Sequence, residues 1–354
     1  MKGSRQARPH SVRIVALGGG TGLSTVLRGL KEYVSPRNKE SILRPISDLA
    51  AVVTVTDDGG SSGRLRREYR VLPPGDIRNC MVALSKDEHL LGKLFQYRFP
   101  LGGLAGHSFG NLFLTALTNV TGDFPEAVRV SSRVLAIRGR IYPSTAENVT
   151  LEAELEDGQI VAGETKISRS RKSIHRVRLV PRRVPAVPEV LDAIREADLI
   201  LIGPGSLYTS IIPNLLIHKV VAAIVASPAT CVYISNLMTQ PGETQNYSVA
   251  DHVRAIYDHT RKRIFDFVVI NSKPVSAALL RRYRAQGAEP VEPSLAELRS
   301  MRIRYITGDF LHHNKVVRHD QSRLTRLLLQ EFVHQDKPKR APHKRSRATR
   351  QRRT

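Results

Sequence analysis

The chain has 354 residues, a formal net charge of +23, 41% apolar residues and 25% charged residues. That balance excludes disorder for most of its length and supplies one large core or two modest ones. No apolar run approaches the roughly 20 residues of a bilayer-spanning helix. The first eleven residues, MKGSRQARPHS, are polar and basic, and the apolar run behind them breaks into glycines, so no secretory leader is expected and the expected location is the cytoplasm. The two cysteines, Cys80 and Cys231, fall inside apolar segments and read as buried thiols, with neither a disulfide framework nor metal-ligand spacing.

In chain order, Val12 to Leu17 reads as a buried strand that runs into the glycine loop Gly18, Gly19, Gly20, Thr21, Gly22. A helix follows, with Leu23, Val26, Leu27 and Leu30 at helical spacing, which opens a βαβ unit. A second strand, Leu49 to Val55, leads into TDDGGSSGR, and Pro73-Pro74 precede a helix beginning near Asp76. GHSFGN, from Gly106, feeds a helix with Leu112, Leu114 and Leu117 expected inside. The pattern then changes. From Val149 to Pro181 two-residue alternation surrounds the turn signal Glu156-Asp157-Gly158, which predicts an antiparallel excursion, taken as an accessory lobe spanning about 149–181.

The parallel pattern resumes with the strand Leu199 to Ile202 and its loop Gly203 to Ser206. Helix Lys219 to Ala226, strand Thr230 to Ser235, helix Asp251 to Thr260, strand Phe265 to Ile270 and a last helix Ser322 to Phe332 follow. Such alternation predicts an α/β fold, a Rossmann-like doubly wound and mostly parallel sheet, over residues 12–335. From Lys337 onward nine Lys or Arg stand without an acid, leaving +14 when those nine are subtracted from +23. Residues 336–354 therefore read as a disordered basic tail suited to nonspecific contact with anionic surfaces, and without interleaved aromatics for base stacking.

Parallel strands place their following loops at one carboxyl edge, where open α/β sheets bind ligands. Glycines let the backbone approach a phosphate, and the helix behind them aims free N–H groups at it. Gly18 to Gly22 and Gly203-Pro204-Gly205-Ser206, with Thr209 and Ser210, are thus candidate phosphate loops, tight strand-to-helix packing being the lesser alternative for a lone glycine loop. Neither the P-loop nor the dinucleotide fingerprint is matched. Asp57 and Asp58 repel each other unless a cation, an arginine or a helix N-terminus compensates, which suggests Mg²⁺ shared with ligand phosphates; the plainer reading is a turn cap before Gly59. Ser61, Ser62 and Arg64 in the same loop, Asp76, Arg78 and Asn79 in PPGDIRN, and His107, Ser108 and Asn111 are candidate ligand contacts. Asn236, Thr239 and Gln240, in a polar run with Glu243 and Thr244, suit a base edge or sugar hydroxyls. No catalytic residue can be assigned from spacing.

The blocks ALGGGTGLSTVLRGLK, TVTDDGGSSGRLRREY, LPPGDIRNCMVALS, GHSFGNLFLTALT, LAIRGRIYPST, IGPGSLYTSIIPNLL and YISNLMTQPGET together resemble the gluconeogenesis factor family, within the superfamily typified by 2-phospho-L-lactate transferase. The resemblance runs from about Val12 to about Asp309. It implies a cytoplasmic regulator that binds a nucleotide sugar of the UDP-N-acetylglucosamine type and is needed for growth and cell shape on gluconeogenic carbon. The alternative it implies is a Mg²⁺-dependent transferase of a nucleotide-activated phosphoryl group, with Asp57 and Asp58 beside acceptor and metal. A homo-oligomer and a protein partner in envelope-precursor synthesis are further expectations. MRIRYITGDF is atypical for the family.

Overall fold

The structure is a computed structural model that describes residues 11–34, 45–86, 90–313 and 316–333. The basic tail expected over 336–354 lies outside those residues. In chain order the strands are β1 (Val12–Gly18), β2 (Ile46–Val53), β3 (Arg140–Pro143), β4 (Thr150–Leu155), β5 (Ile160–Ala162), β6 (Ile174–Val180), β7 (Leu199–Ile202), β8 (Thr230–Ile234), β9 (Phe267–Asn271), β10 (Arg304–Gly308), β11 (Leu311–His313) and β12 (Val317–His319).

Seven of them form one parallel sheet in the order β10-β9-β8-β7-β1-β2-β3. The chain walks outward from β1 through β2 to β3, then returns to lay β7 on the other side of β1 and walks outward again to β10. The strand order therefore reverses between β1 and β7, which opens a crevice at their carboxyl ends. Helices cover both faces, so the central strands are apolar without alternation: all four residues of β7 are buried, and so are Ile14 to Leu17 of β1.

The helices that shape the crevice are α1 (Gly20–Leu30), α2 (Gly60–Tyr69), α3 (Gly75–Leu84), α4 (Leu90–Gln96), α5 (Phe109–Thr121), α6 (Phe124–Val134) and α7 (Glu164–Arg169). The excursion is present as a three-stranded antiparallel sheet, β5-β4-β6, with its hairpin at the expected Glu156-Asp157-Gly158 turn. Cys80 and Cys231 are buried and form no disulfide among the described residues. No helix among the described residues is long and apolar enough to cross a membrane.

Several local expectations differ from the structure. Of the three leucines expected inside α5, only Leu114 is fully buried; Leu112 and Leu117 lie half-buried on its flanks, because α5 packs on one side only, mainly against α6 and α4. The edge strands β3 and β10 carry too few consecutive apolar residues to announce themselves. β10 lies within the atypical MRIRYITGDF segment, where Arg304 stacks on Phe267 at 4.0 Å from the ring centre.

Candidate functional site

The two glycine loops meet across the reversal point. A Cβ at Gly22 would stand 2.3 Å from the Pro204 carbonyl oxygen, so only a glycine lets α1 begin this close to the loop after β7. Gly20 has φ +60 and Gly203 φ +81, both in the region glycine favours. A Cβ at Gly19 would fall 2.6 Å from Asp76 Oδ2 and 3.2 Å from Ser210 Cβ. Thr21 is exposed at the start of α1, an eleven-residue helix whose N-terminus carries a positive dipole end.

The loop after β7 is held by side chains from the loop after β8. Asn236 accepts from Gly205 N at 3.0 Å and donates to Gly205 O at 2.8 Å, while Gln240 Nε2 donates to Ser206 Oγ at 2.8 Å. Thr239 turns elsewhere: its N–H donates to Glu289 O and its hydroxyl accepts from Glu289 N, away from the crevice. Asn214, which sequence reasoning missed, donates to both Gly18 O at 2.9 Å and Ser210 O at 2.8 Å, and so fastens the two loops from beneath.

The neighbouring carboxylates of Asp57 and Asp58 diverge. Asp57 Oδ1 accepts from Gly59 N at 2.9 Å, and burial raises its pKa, partly offset by bonds from Gly59 and Ser62. Asp58 Oδ1 instead accepts from Thr165 N at 2.8 Å and Thr165 Oγ1 at 2.6 Å, at the first turn of α7. Asp76, in the first turn of α3, accepts from Gly20 N and is pushed up to about 6, first by burial and then by the charge of Asp57. The charge of Asp58 also raises Asp57, and Asp57 in turn raises Asp76, so the like charges repel in series beside the first glycine loop.

Two further carboxylates complete this acidic wall. Glu164, at the start of α7, is raised well above the carboxylate range by burial and by Asp57, Asp76, Glu243 and Asp58. Glu243 Oε1 accepts from Ser168 Oγ at 3.1 Å and Thr209 Oγ1 at 3.3 Å, and burial raises it too. The excursion is consequently no lateral accessory. Its helix α7 is tied by Thr165 to the loop after β2 and by Ser168 to the loop after β8, and a Cβ at Gly242 would lie 2.3 Å from Ser170 O. α7 spans the carboxyl edge above β1 and β7 as a roof. Nothing in the alternating sequence of the excursion signalled that Glu164 returns to the site; only the sheet order brings it there.

On the β2 side the polar candidates gather. Arg78 donates to Ser108 Oγ at 2.5 Å and Asn79 Oδ1 at 2.8 Å, leaving its buried Nε without a partner; burial and the charge of Arg98 lower its pKa. Ser108 caps α5 by accepting from Asn111 N. His107 Nδ1 lies 3.0 Å from Ser61 Oγ, and burial with the nearby Arg64 guanidinium lowers its pKa. Arg64 donates to Ala105 O at 2.7 Å, and Arg66 ties Asn148 and Val149 O to α2.

The candidates form one continuous wall, with Asp76 joining the glycine loops to the α2–α3–α5 cluster and Thr239 standing apart. Among the described residues no three His, Cys, Asp or Glu side chains are gathered to hold a metal ion.

Residues 14–311 match the family model described as 2-phospho-L-lactate transferase CofD. The chain belongs to the CofD family. It is 47% identical over 319 residues to the gluconeogenesis factor of Bacillus subtilis (strain 168), covering 90% of this chain and 97% of that protein. Against the putative gluconeogenesis factor of Thermotoga maritima it is 51% identical over 281 residues, 79% of this chain and 85% of the relative. A crystal structure of an upf0052-family protein from Bacillus halodurans superposes with a TM-score of 0.85 at 44% identity, covering 90% of this chain and 99% of that one. Within the CofD family, then, this chain is similar to the members named gluconeogenesis factor, as the sequence blocks around Gly18, Asp57 and Gly203 implied.

Proposed function

We propose that the chain is a gluconeogenesis factor that binds a nucleotide sugar of the UDP-N-acetylglucosamine type in the crevice between the two glycine loops, and regulates growth and cell morphogenesis on gluconeogenic carbon. The observation that carries this reading is the contact of Gly22 with Pro204. It makes one backbone-lined cradle from two loops and a helix N-terminus, the chemistry a pyrophosphate requires. Asn236 and Gln240 rim it, and a bound ligand would act on a protein partner in envelope-precursor synthesis.

An anionic ligand beside four half-buried or buried carboxylates needs a cation. Asp57 and Asp76 are the residues that fit Mg²⁺, because Asp58 Oδ1 is already committed to Thr165, and that ion takes one or two carboxylates while keeping waters. Bound there, Mg²⁺ would neutralise phosphate charge. A second reading, transfer of a nucleotide-activated phosphoryl group, is favoured by one observation. Asp76, near pKa 6 and half-buried at the glycine loop, is tuned to accept a proton close to neutral pH.

Calorimetric titration with UDP-N-acetylglucosamine and with GDP, each with and without Mg²⁺, followed by product analysis, separates the readings. Saturable binding of the UDP-sugar, recovered intact, and loss of its Mg²⁺ dependence in Asp57→Asn are the expected results. Consumption of the ligand, or preference for the guanine nucleotide, replaces the regulator with the transferase.

A further inference from the structure

A second cavity, of about 390 Å³, opens between β6 and the helix Val249–Thr260, and none of the glycine-loop residues lines it. Its floor is aromatic and fixed. Tyr208 is 2% exposed, and its hydroxyl lies 2.7 Å from that of Tyr247. His259 is held by both ring nitrogens, Nε2 accepting from Val177 N at 3.0 Å and Nδ1 donating to Ala255 O at 2.7 Å, and it packs edge-on to Tyr208 at 5.8 Å. Tyr247 Oη has no second partner among the described residues, so it can still exchange a hydrogen bond with an occupant.

Around that floor stand charges that the fold does not pair. Arg254 is committed to Asp251 and Glu297. Among the described residues, by contrast, neither Arg176 nor Arg261 has a carboxylate at ion-pair distance, and Asp258 has no cation there. Burial lowers the His259 pKa and the charges of Arg176 and Arg261 lower it further, so both guanidiniums bear on the same floor. Glu156 completes the rim, 3.8 Å from His175 Nδ1.

We propose that this cavity is a second ligand site, for a monosaccharide phosphate, coupled to the nucleotide-sugar cradle through Tyr208. Two converging guanidiniums suit a phosphate dianion, which they take in bidentate fashion. Asp258, Glu156 and Tyr247 Oη are acceptors for sugar hydroxyls, and carboxylates facing the same space turn away a polyanion such as nucleic acid. The volume lies at the small end of the roughly 300–1,000 Å³ of ligand pockets, which suits one sugar ring and its phosphate better than a whole nucleotide sugar.

The coupling follows from the turn that carries Tyr208. Leu207–Ile211 form a single turn of π-helix, in which Ser206 O accepts from both Ser210 N at 2.9 Å and Ile211 N at 3.0 Å. The α and π spacings thus share one acceptor, and a small rotation of the turn exchanges them. Tyr208 faces the cavity, while its own N–H and the Thr209 hydroxyl donate to Glu243, and Ser206 Oγ accepts from Gln240. An occupant that fixes Tyr208 therefore fixes the second glycine loop. This coupling rests on the cradle reading above; the second site itself does not.

Isothermal titration of the full chain with glucose 6-phosphate, fructose 6-phosphate, inorganic phosphate and citrate tests the site. A sugar phosphate should bind at least about tenfold more tightly than inorganic phosphate or citrate. Arg176→Ala with Arg261→Ala should weaken it by about 30-fold or more, and Tyr247→Phe by about fivefold, because each removes a bond to the ligand and no ion pair of the fold. Gly22→Ala, which disturbs the cradle, should retain this binding. With sugar phosphate bound, amide exchange should slow across 207–211, and the affinity for UDP-N-acetylglucosamine should rise about fivefold. The titration and the exchange are read without any nucleotide, so their failure is told apart from a failure of the cradle to bind its own ligand. No binding at roughly 10 mM, equal binding of citrate, or binding that survives the double arginine variant or is abolished by Gly22→Ala overturns the second site. A sugar phosphate that binds here yet leaves exchange across 207–211 unaltered overturns its coupling to the cradle.

Discussion

Asp76 carries a charge that the fold tolerates poorly, and replacing it with asparagine should stabilise the metal-free protein at neutral pH. Its pKa rises from 3.8 to about 6 on folding, because the carboxylate leaves water and meets the charge of Asp57. The folded chain then holds more protons than the unfolded chain between those values, so stability falls as pH rises through that window and the loss is complete above it. A shift of this size corresponds to about 3 kcal/mol at 1.36 kcal/mol per pH unit. Asparagine keeps a carbonyl oxygen that can accept from Gly20 N and removes the charge. Asp76→Asn should therefore gain up to about 3 kcal/mol at pH 7.5 and about 1 kcal/mol at pH 4.5, where the wild-type side chain is already mostly protonated in the folded state. At about 2 °C per kcal/mol, the thermal midpoint at pH 7.5 should rise by roughly 5 °C. Urea unfolding of both proteins in EDTA at the two pH values measures this. Equal stability differences at pH 7.5 and 4.5, or a loss at pH 7.5, would refute the reasoning, since no buried charge would then be relieved. With Mg²⁺ and ligand present the order should invert, the variant gaining less from the ligand than the wild type.

Gly22→Ala should separate the glycine loops, because its methyl would meet Pro204 O at 2.3 Å; a cost of about 1–3 kcal/mol and at least a tenfold weaker nucleotide-sugar affinity are expected in unfolding and titration. A variant that binds normally would show that the two loops do not form one cradle. Asp58→Ala removes both bonds to Thr165 and should cost about 1–3 kcal/mol. Hydrogen exchange should accelerate at the amides of 163–169 while those of β1 stay protected, and unchanged exchange in α7 would mean that the roof is held by other contacts.

The sequence by itself determined the parallel sheet, its glycine loops and the excursion, because these rest on local regularities. Buried parallel strands read as short apolar runs, turns announce themselves by glycine and proline, and the excursion by its alternation around Asp157-Gly158. The long blocks around Gly18, Asp57, Asp76, His107 and Gly203 likewise sufficed to place the chain in its family. Only the tertiary structure decided how those loops combine. The reversal of strand order between β1 and β7 sets Gly22 against Pro204, Asp58 turns from its neighbour toward Thr165, and Asp76 meets Asp57 although 18 residues part them. Glu164 reaches the acidic wall from a segment that a linear reading set aside as accessory, and Asn214 fastens two loops from a helix with no polar signature of its own. Spacing along a chain fixes which side chains share a strand face or a helix turn. Which loops share a crevice depends on sheet order, a long-range outcome of packing that no local pattern encodes.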